Sequence, residues 1–234
     1  MKKYILLFLI TQIFAFAGVG VYGSLDMFST TPPASTDANS GIKVQPQSLD
    51  SGISGGGFVY IDFLPIIDLE LSVEGGGNIY DANMTSSTIN TVFSEIPWTR
   101  ISGYFTIRKK LIGASIPFLA KVQVYAGAGP NMHWTSPTVT TDLLLNVFPG
   151  QTLEQISNLD FTDNEDVEDD NLDLLIDYAQ ANMIETTGLH LQLGAQAKVL
   201  VANMFINARY TIAKDVVPGT SGFPSVWVGF AFGF

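Results

Sequence analysis

From residue 18 onward, apolar and polar residues alternate with a period of two over stretches of about ten residues. The clearest stretch is 186–198. Leu189, Leu191, Leu193, Ala195 and Ala197 share one face, and His190, Gln192, Gly194, Gln196 and Lys198 share the other. In 203–212, Ile206, Ala208, Tyr210 and Ile212 alternate with Phe205, Asn207, Arg209 and Thr211. In 225–234, Val226, Val228, Phe230, Phe232 and Phe234 alternate with Trp227, Gly229, Ala231 and Gly233. Further runs fall at 18–28, 55–63, 66–76, 98–109 and 120–134, so the pattern predicts eight strands.

The links between these runs alternate as well. Those at 29–54, 77–97, 135–185 and 213–224 are long. Those at 64–65, 110–119 and 200–202 are shorter. Long links on one end and short ones on the other are the pattern of a transmembrane barrel, with short periplasmic turns and long extracellular loops. Closure is required in lipid, because an open sheet edge would leave unpaired backbone groups in hydrocarbon. The expected fold is all-β: an eight-stranded antiparallel up-and-down transmembrane barrel whose longest loop is partly helical.

Residues 1–17 read differently. Lys2 and Lys3 precede an apolar segment at 4–14, and Ala15-Phe16-Ala17 fits a small-x-small cleavage site. This is the pattern of a secretory signal peptide cut after Ala17, leaving a barrel at 18–234. No cysteine is present, so disulfides, thiolate metal sites and a cysteine nucleophile are excluded. With 11 basic and 22 acidic residues the formal charge is −11, which argues against nucleic acid as a partner. Charged residues make up only 14%, below the soluble-domain norm, which suits an outer face that meets lipid.

The chain closes on Val226-Trp227-Val228-Gly229-Phe230-Ala231-Phe232-Gly233-Phe234. This alternating aromatic strand resembles the C-terminal signature of bacterial outer-membrane β-barrels, which the barrel assembly machinery recognises. The resemblance implies that Trp227, Phe230, Phe232 and Phe234 form that signal. Val124-Tyr125-Ala126-Gly127-Ala128-Gly129-Pro130 resembles the central strands of small eight-stranded members, the outer membrane protein A, X and W types. It implies a bacterial outer-membrane location, with outer-membrane lipid and the assembly machinery as partners.

Eight strands enclose an interior just wide enough to be filled by side chains. The inward set holds Asp62, Asp68, Glu70, Glu74, Arg100, Arg108, Lys121, Lys198 and Arg209. Near-balanced charge in so narrow a space predicts salt-bridged packing, with Asp68 approaching Arg108 and Glu74 approaching Arg100.

Twelve acidic residues lie between Asp142 and Glu185, in the longest predicted extracellular loop (135–185). The densest run, 160–170, includes Asp163, Glu165, Asp166, Glu168, Asp169 and Asp170. Carboxylates in this density make divalent cations a candidate ligand, but the run lacks the residue order and glycine of an EF-hand. It reads first as a solvated acidic surface, so no metal centre and no cofactor are expected. Leu172, Leu175, Ile176, Ala179 and Met183 then recur at helical spacing, and Leu143, Leu144, Leu145, Val147 and Phe148 form a second apolar patch. The loop is expected to form a partly helical lid.

His133 and His190 fall on the inward parity of adjacent strands, with Ser136 three residues past His133. Spacing alone supplies neither hydrogen-bond reach nor an orienting acid, so catalysis is not expected. The expected role is non-enzymatic: an envelope or surface scaffold of the adhesion or interaction type, with surface-exposed loops. The alternatives are a narrow porin-like channel for small or hydrophobic solutes and a lipid-modifying enzyme. Intact mass of the exported protein is expected to match a chain beginning at Gly18. A mass that includes residues 1–17 would overturn the signal-peptide reading.

Overall fold

The computed structural model describes residues 17–62, 67–116, 119–159, 161 and 171–233. In chain order the elements are β1 (Ala17–Thr30), β2 (Ser35–Thr36), β3 (Lys43–Pro46), β4 (Leu49–Ile61), β5 (Asp68–Thr85), β6 (Asn90–Ile116) and β7 (Ala120–Thr135). Three helices follow: α1 (Thr141–Val147), α2 (Leu153–Ile156) and α3 (Asn171–Ala181). The last strands are β8 (Ile184–Val199), β9 (Ala202–Ile212) and β10 (Phe223–Gly233).

The eight long strands pair antiparallel with their neighbours in sequence, and β1 pairs with β10 to close the ring. Following paired residues around it from Ile116 leads through Ala120, Val199, Ala202, Phe232, Val19, Val59 and Leu71. The path re-enters β6 at Phe105, eleven residues from its start. One of those residues is the bulge between Lys110 and Ile112. This stagger tilts the strands to the barrel axis and sets an interior that side chains can fill.

Each of the eight expected runs coincides with one of these strands, apart from residues 62 and 67, which are not strand, and 63, 66 and 234, which lie outside the described residues, and the long and short links fall on opposite ends. The structure corrects three of the links, the first being 29–54, which contains β2 and β3 and ends where β4 begins at Leu49. Residues 77–97 are mostly strand, because β5 and β6 continue as a hairpin past the barrel rim, joined at 86–89. A bulge interrupts this hairpin between Tyr80 and Ala82, where the Asp81 carboxylate accepts the Glu95 N–H at 3.0 Å. Likewise, 110–119 is largely strand, since β6 runs to Ile116.

Above the rim, β2 and β3 add to the β5 edge of this hairpin. The β2–β3 turn is built on Asp37, whose carboxylate accepts both the Ser40 hydroxyl and the Ser40 N–H at 2.7 Å. These donors hold the Asp37 carboxyl below the usual carboxylate range. Gly41 supplies the left-handed residue at φ 68°.

The helices pack on this small sheet. Val44, Tyr80, Met84, Phe93, Trp98, Leu143, Leu144, Phe148, Ile156, Leu175 and Val216 belong to one buried cluster drawn from every long link. Polar contacts tie the segments together. Tyr80 Oη accepts the Val139 N–H, Ser35 Oγ accepts the Thr141 N–H, and Thr30 Oγ1 donates to the Pro218 carbonyl. Helix α1 is capped by the Thr140 hydroxyl and α2 by a Thr152–Gln155 capping box. The expected lid is thus a cap with its own core, in which α3 covers the predicted helical stretch from Leu172 to Ala179, stops before Met183, and buries Leu172 and Leu175.

Leu144→Ala removes a fully buried cap side chain and is expected to cost about 2–5 kcal/mol locally. The measurement is Glu-specific proteolysis of the 135–185 segment, which should accelerate while the ring keeps its SDS-resistant migration. Unchanged cleavage would overturn a cap held by this core.

Candidate functional site: the barrel lumen

Inward positions of the strands form three layers. At the short-turn end lies an aromatic layer of Tyr22, Phe58, Tyr60, Tyr125, Phe205 and Trp227. Phe205 meets Phe58 and Tyr60 edge-on, with ring centroids 5.1 and 5.2 Å apart. Gly194 makes room here. It stands between Tyr125 and Asn207 in the register, and the Tyr125 ring crosses it to donate to Asn207 Oδ1 at 2.7 Å. A side chain at this glycine would collide with both.

The middle layer is ionic. Glu74 is its hub, accepting from Arg100 Nη2 at 3.0 Å, Arg209 Nη1 at 3.3 Å and the Tyr22 hydroxyl at 2.8 Å. Arg100 Nη2 also reaches Asp26 Oδ2 at 2.5 Å, and Ser54 Oγ donates to the same Asp26 oxygen. Arg108 Nη1 pairs with Glu70 at 3.0 Å, and Gln192 donates to the other Glu70 oxygen. Each guanidinium also lies against aromatic rings. Arg209 sits 3.8 Å from the Tyr104 centroid, Arg108 4.8 Å from Tyr125 and Arg100 5.0 Å from Phe223. All three arginines and their carboxylate partners are buried.

Above this layer sit His133 and His190, both fully buried and both edge-on to Tyr104. Ser102 Oγ lies 2.8 Å from His133 Nδ1, and Thr106 Oγ1 lies 2.9 Å from His190 Nε2. Since Arg100 Nη1 donates to Ser102 Oγ, the Ser102 hydroxyl is free to donate to His133 Nδ1. Ser136, the serine nearest His133 in sequence, instead accepts the Thr99 N–H at 2.9 Å. Phe223, Ala213 and Val139 belong to the cap core that roofs this layer.

The structure brings Glu70, Glu74, Arg100, Arg108 and Arg209 into one network. The expected Glu74–Arg100 approach is present. Asp68 stands opposite Arg108 in the register, but the guanidinium takes Glu70, two residues further along the same face. Lys121 bonds Asp62 at 3.0 Å at the turn end. Lys198 stands directly opposite Lys121 and makes no ion pair among the described residues. Trp227 points into the lumen, whereas Phe230 and Phe232 point outward. Phe234 and the acidic residues Asp163, Glu165, Asp166, Glu168, Asp169 and Asp170 lie outside the described residues. The sequence reading missed Asp26, although its parity with Tyr22 and Ser24 marks it as inward.

No family model matches the sequence, and neither does any curated protein. Solved structures do match. The outer membrane protein OprG from Pseudomonas aeruginosa superposes with a TM-score of 0.51 at 13% identity, covering 93% of this chain and 95% of that one. The fold is that of a small outer-membrane β-barrel. Weaker likenesses include Ail, the attachment invasion locus protein of Yersinia pestis (TM-score 0.38, 10% identity, 93% and 98% covered). Another is the N-terminal barrel of Pseudomonas aeruginosa OprF (TM-score 0.34, 9% identity, 93% and 97% covered).

Glu74→Ala strips two buried guanidiniums of a shared carboxylate and is expected to cost about 3–5 kcal/mol. Lys214→Ala, which loosens an exposed pair with Asp215, should cost no more than about 1 kcal/mol. Urea unfolding of both variants in the same bilayer checks the contrast, and equal effects would overturn the hub role of Glu74.

Proposed function

We propose that this chain is an integral barrel of a bacterial outer membrane that acts as a non-enzymatic surface scaffold, closed to solute flow. One observation carries the reading: the lumen is filled along its length, with aromatic rings at the turn end, paired charges in the middle and the cap core above. A filled interior supports a structural or adhesive role at the cell surface over transport. The outward face, with Val19, Leu71, Leu191, Ile206 and Phe230 all exposed, has the chemistry of a surface that meets outer-membrane lipid. Of the aromatics that the assembly machinery would read, Trp227, Phe230, Phe232 and Phe234, the outward Phe230 and Phe232 are exposed to it. The cap, and the acidic run 160–170 that the sequence places in the longest link, are the parts available to an extracellular partner or to divalent cations.

A narrow channel is the second reading. It is favoured by buried polar atoms between the ionic layer and the cap that have no hydrogen-bond partner among the described residues: both amide atoms of Asn131, His133 Nε2 and Thr211 Oγ1. Such groups suit a hydrated upper lumen. The aromatic layer still blocks its other end. Catalysis has less support. The Ser102–His133 pair has hydrogen-bond reach, but Arg100 donates to the serine oxygen and both residues are buried beneath the cap.

Planar-bilayer recording of the refolded full chain tests the reading. No discrete conductance steps are expected, and Glu74→Ala should raise conductance by loosening the ionic layer. Steady channels in the unaltered protein would overturn the scaffold reading in favour of the channel.

A further inference from the structure

The outward wall formed by β8, β9, β10 and β1 is not smooth. It carries a groove of about 360 Å³ whose lining includes Ala208, Leu191, Leu193, Tyr210, Val226 and Met27. That volume falls in the range of roughly 300–1,000 Å³ usual for small-molecule sites. Its shape follows from the sequence. In the register Ala208 stands between Leu193 and Val226, and Tyr210 between Leu191 and Pro224, so one small side chain is framed by larger ones. Towards β1, the β1–β10 pairing ends at Asp26 and Ser225. Met27 and Pro224 come next. Pro224 has no N–H to offer, and β1 shifts its register against β4 between Asp26 and Ser29. The wall dips where this pairing stops.

The groove lies just inside the long-link boundary of the apolar band. Strand β9 turns Met204, Ile206, Ala208, Tyr210 and Ile212 outward, and all are exposed. Beyond Ile212 the β9–β10 link exposes Lys214, Asp215, Gly219 and Ser221, while its Val216 and Val217 are buried in the cap core. On β8 the same change follows Leu189, which stands opposite Ile212: the next outward residues are Thr187 and Glu185. Tyr210 carries the kind of amphipathic ring that sits at a membrane–water boundary.

Lys214 comes two residues after Ile212, just past the end of this outward series, and its side chain is 86% exposed. Its ion pair with the exposed Asp215, at 3.8 Å, is long and holds the ammonium only weakly. Its stem can lie along apolar surface while the charge stays at the boundary. An apolar groove beneath a loosely held ammonium complements a ligand that carries an acyl chain under a phosphate.

We propose that this groove holds an acyl chain of a phosphate-bearing lipid of the outer leaflet, with Lys214 on its phosphate. The site rests on the membrane reading above and deepens it. A film of bulk lipid would cover the whole wall and depend on neither Ala208 nor Lys214, and the experiment separates the two.

The full chain is refolded in detergent and exposed to equal amounts of dipalmitoyl phosphatidic acid and dipalmitoylglycerol, which share acyl chains and differ in the phosphate. Retained lipid is counted by native mass spectrometry. The unaltered protein should prefer phosphatidic acid, on the order of fivefold for one lysine at an anionic surface. Lys214→Gln should lose that preference and still retain lipid. Ala208→Phe, which fills the groove, should lose retention of both lipids. Gly103→Phe places the same ring on the outward face of β6, where a side chain meets no neighbour, and should change neither. No preference in the unaltered protein, or an undiminished one in Lys214→Gln, overturns the phosphate contact. Undiminished retention in Ala208→Phe, or an equal loss in Gly103→Phe, overturns the groove. Glycerol 3-phosphate should not displace the lipid; if it does, the site reads a soluble phosphate and the lipid is overturned as its source. Heat-modifiable migration and insertion into phosphatidylcholine vesicles are measured on the same samples. Failure to insert defeats the membrane reading itself, whereas insertion without these preferences defeats only this site.

Discussion

Three guanidinium groups sealed inside a ring of eight strands set the terms for every other side chain in the lumen. A buried cation is tolerated only with a carboxylate partner and further polar or π contacts. Arg100, Arg108 and Arg209 meet this demand with Asp26, Glu70 and Glu74, one acid for each base, and with a ring face apiece. Glu74 is shared between two of them, so Tyr22 and Tyr104 are recruited to fill its remaining lone pairs. Those tyrosines in turn touch Trp227 and the two histidines. The ionic layer thereby fixes the aromatic layer below and the histidine layer above.

The backbone carries a different constraint. The ring can close only if each strand slides relative to the last, and the accumulated stagger carries β6 beyond β7 at one end and beyond the start of β5 at the other. At one end the extra length becomes the hairpin on which the cap is built. At the other it becomes the exposed segment 109–116, whose pairings among the described residues are to β7. The cap and the extended end of β6 are thus opposite consequences of one geometric requirement.

Period-two alternation made the eight strands legible, because one face meets apolar surroundings and the other a crowded interior. It also put Glu74 beside Arg100. It failed where the alternation stops meaning lipid against lumen. Tyr80, Ala82, Met84, Phe93 and Ile96 are buried beneath helices rather than facing a barrel interior, so their stretch reads as a loop. Asp68 and Glu70 share a face and compete for Arg108, and spacing cannot rank them. The geometry favours Glu70, whose second oxygen is held by Gln192 from β8, on a strand that sequence distance does not connect to it. The aromatic layer was hidden for a similar reason: Tyr22, Phe58, Phe205 and Trp227 come from four strands, each contributing one or two rings.

The cap and the ionic layer close the lumen independently. Among the described residues the cap core contains no residue of the ionic network, and the two meet where Phe223 lies under Arg100 and Trp98 joins the strand that carries it. Displacing the cap would uncover the histidine layer and its unpaired polar atoms. The guanidinium–carboxylate pairs beneath would stay in place, because every one of their partners sits on a barrel strand. A passage would require the pairs around Glu74 to break and the rings below them to move aside, in a space that their neighbours already fill.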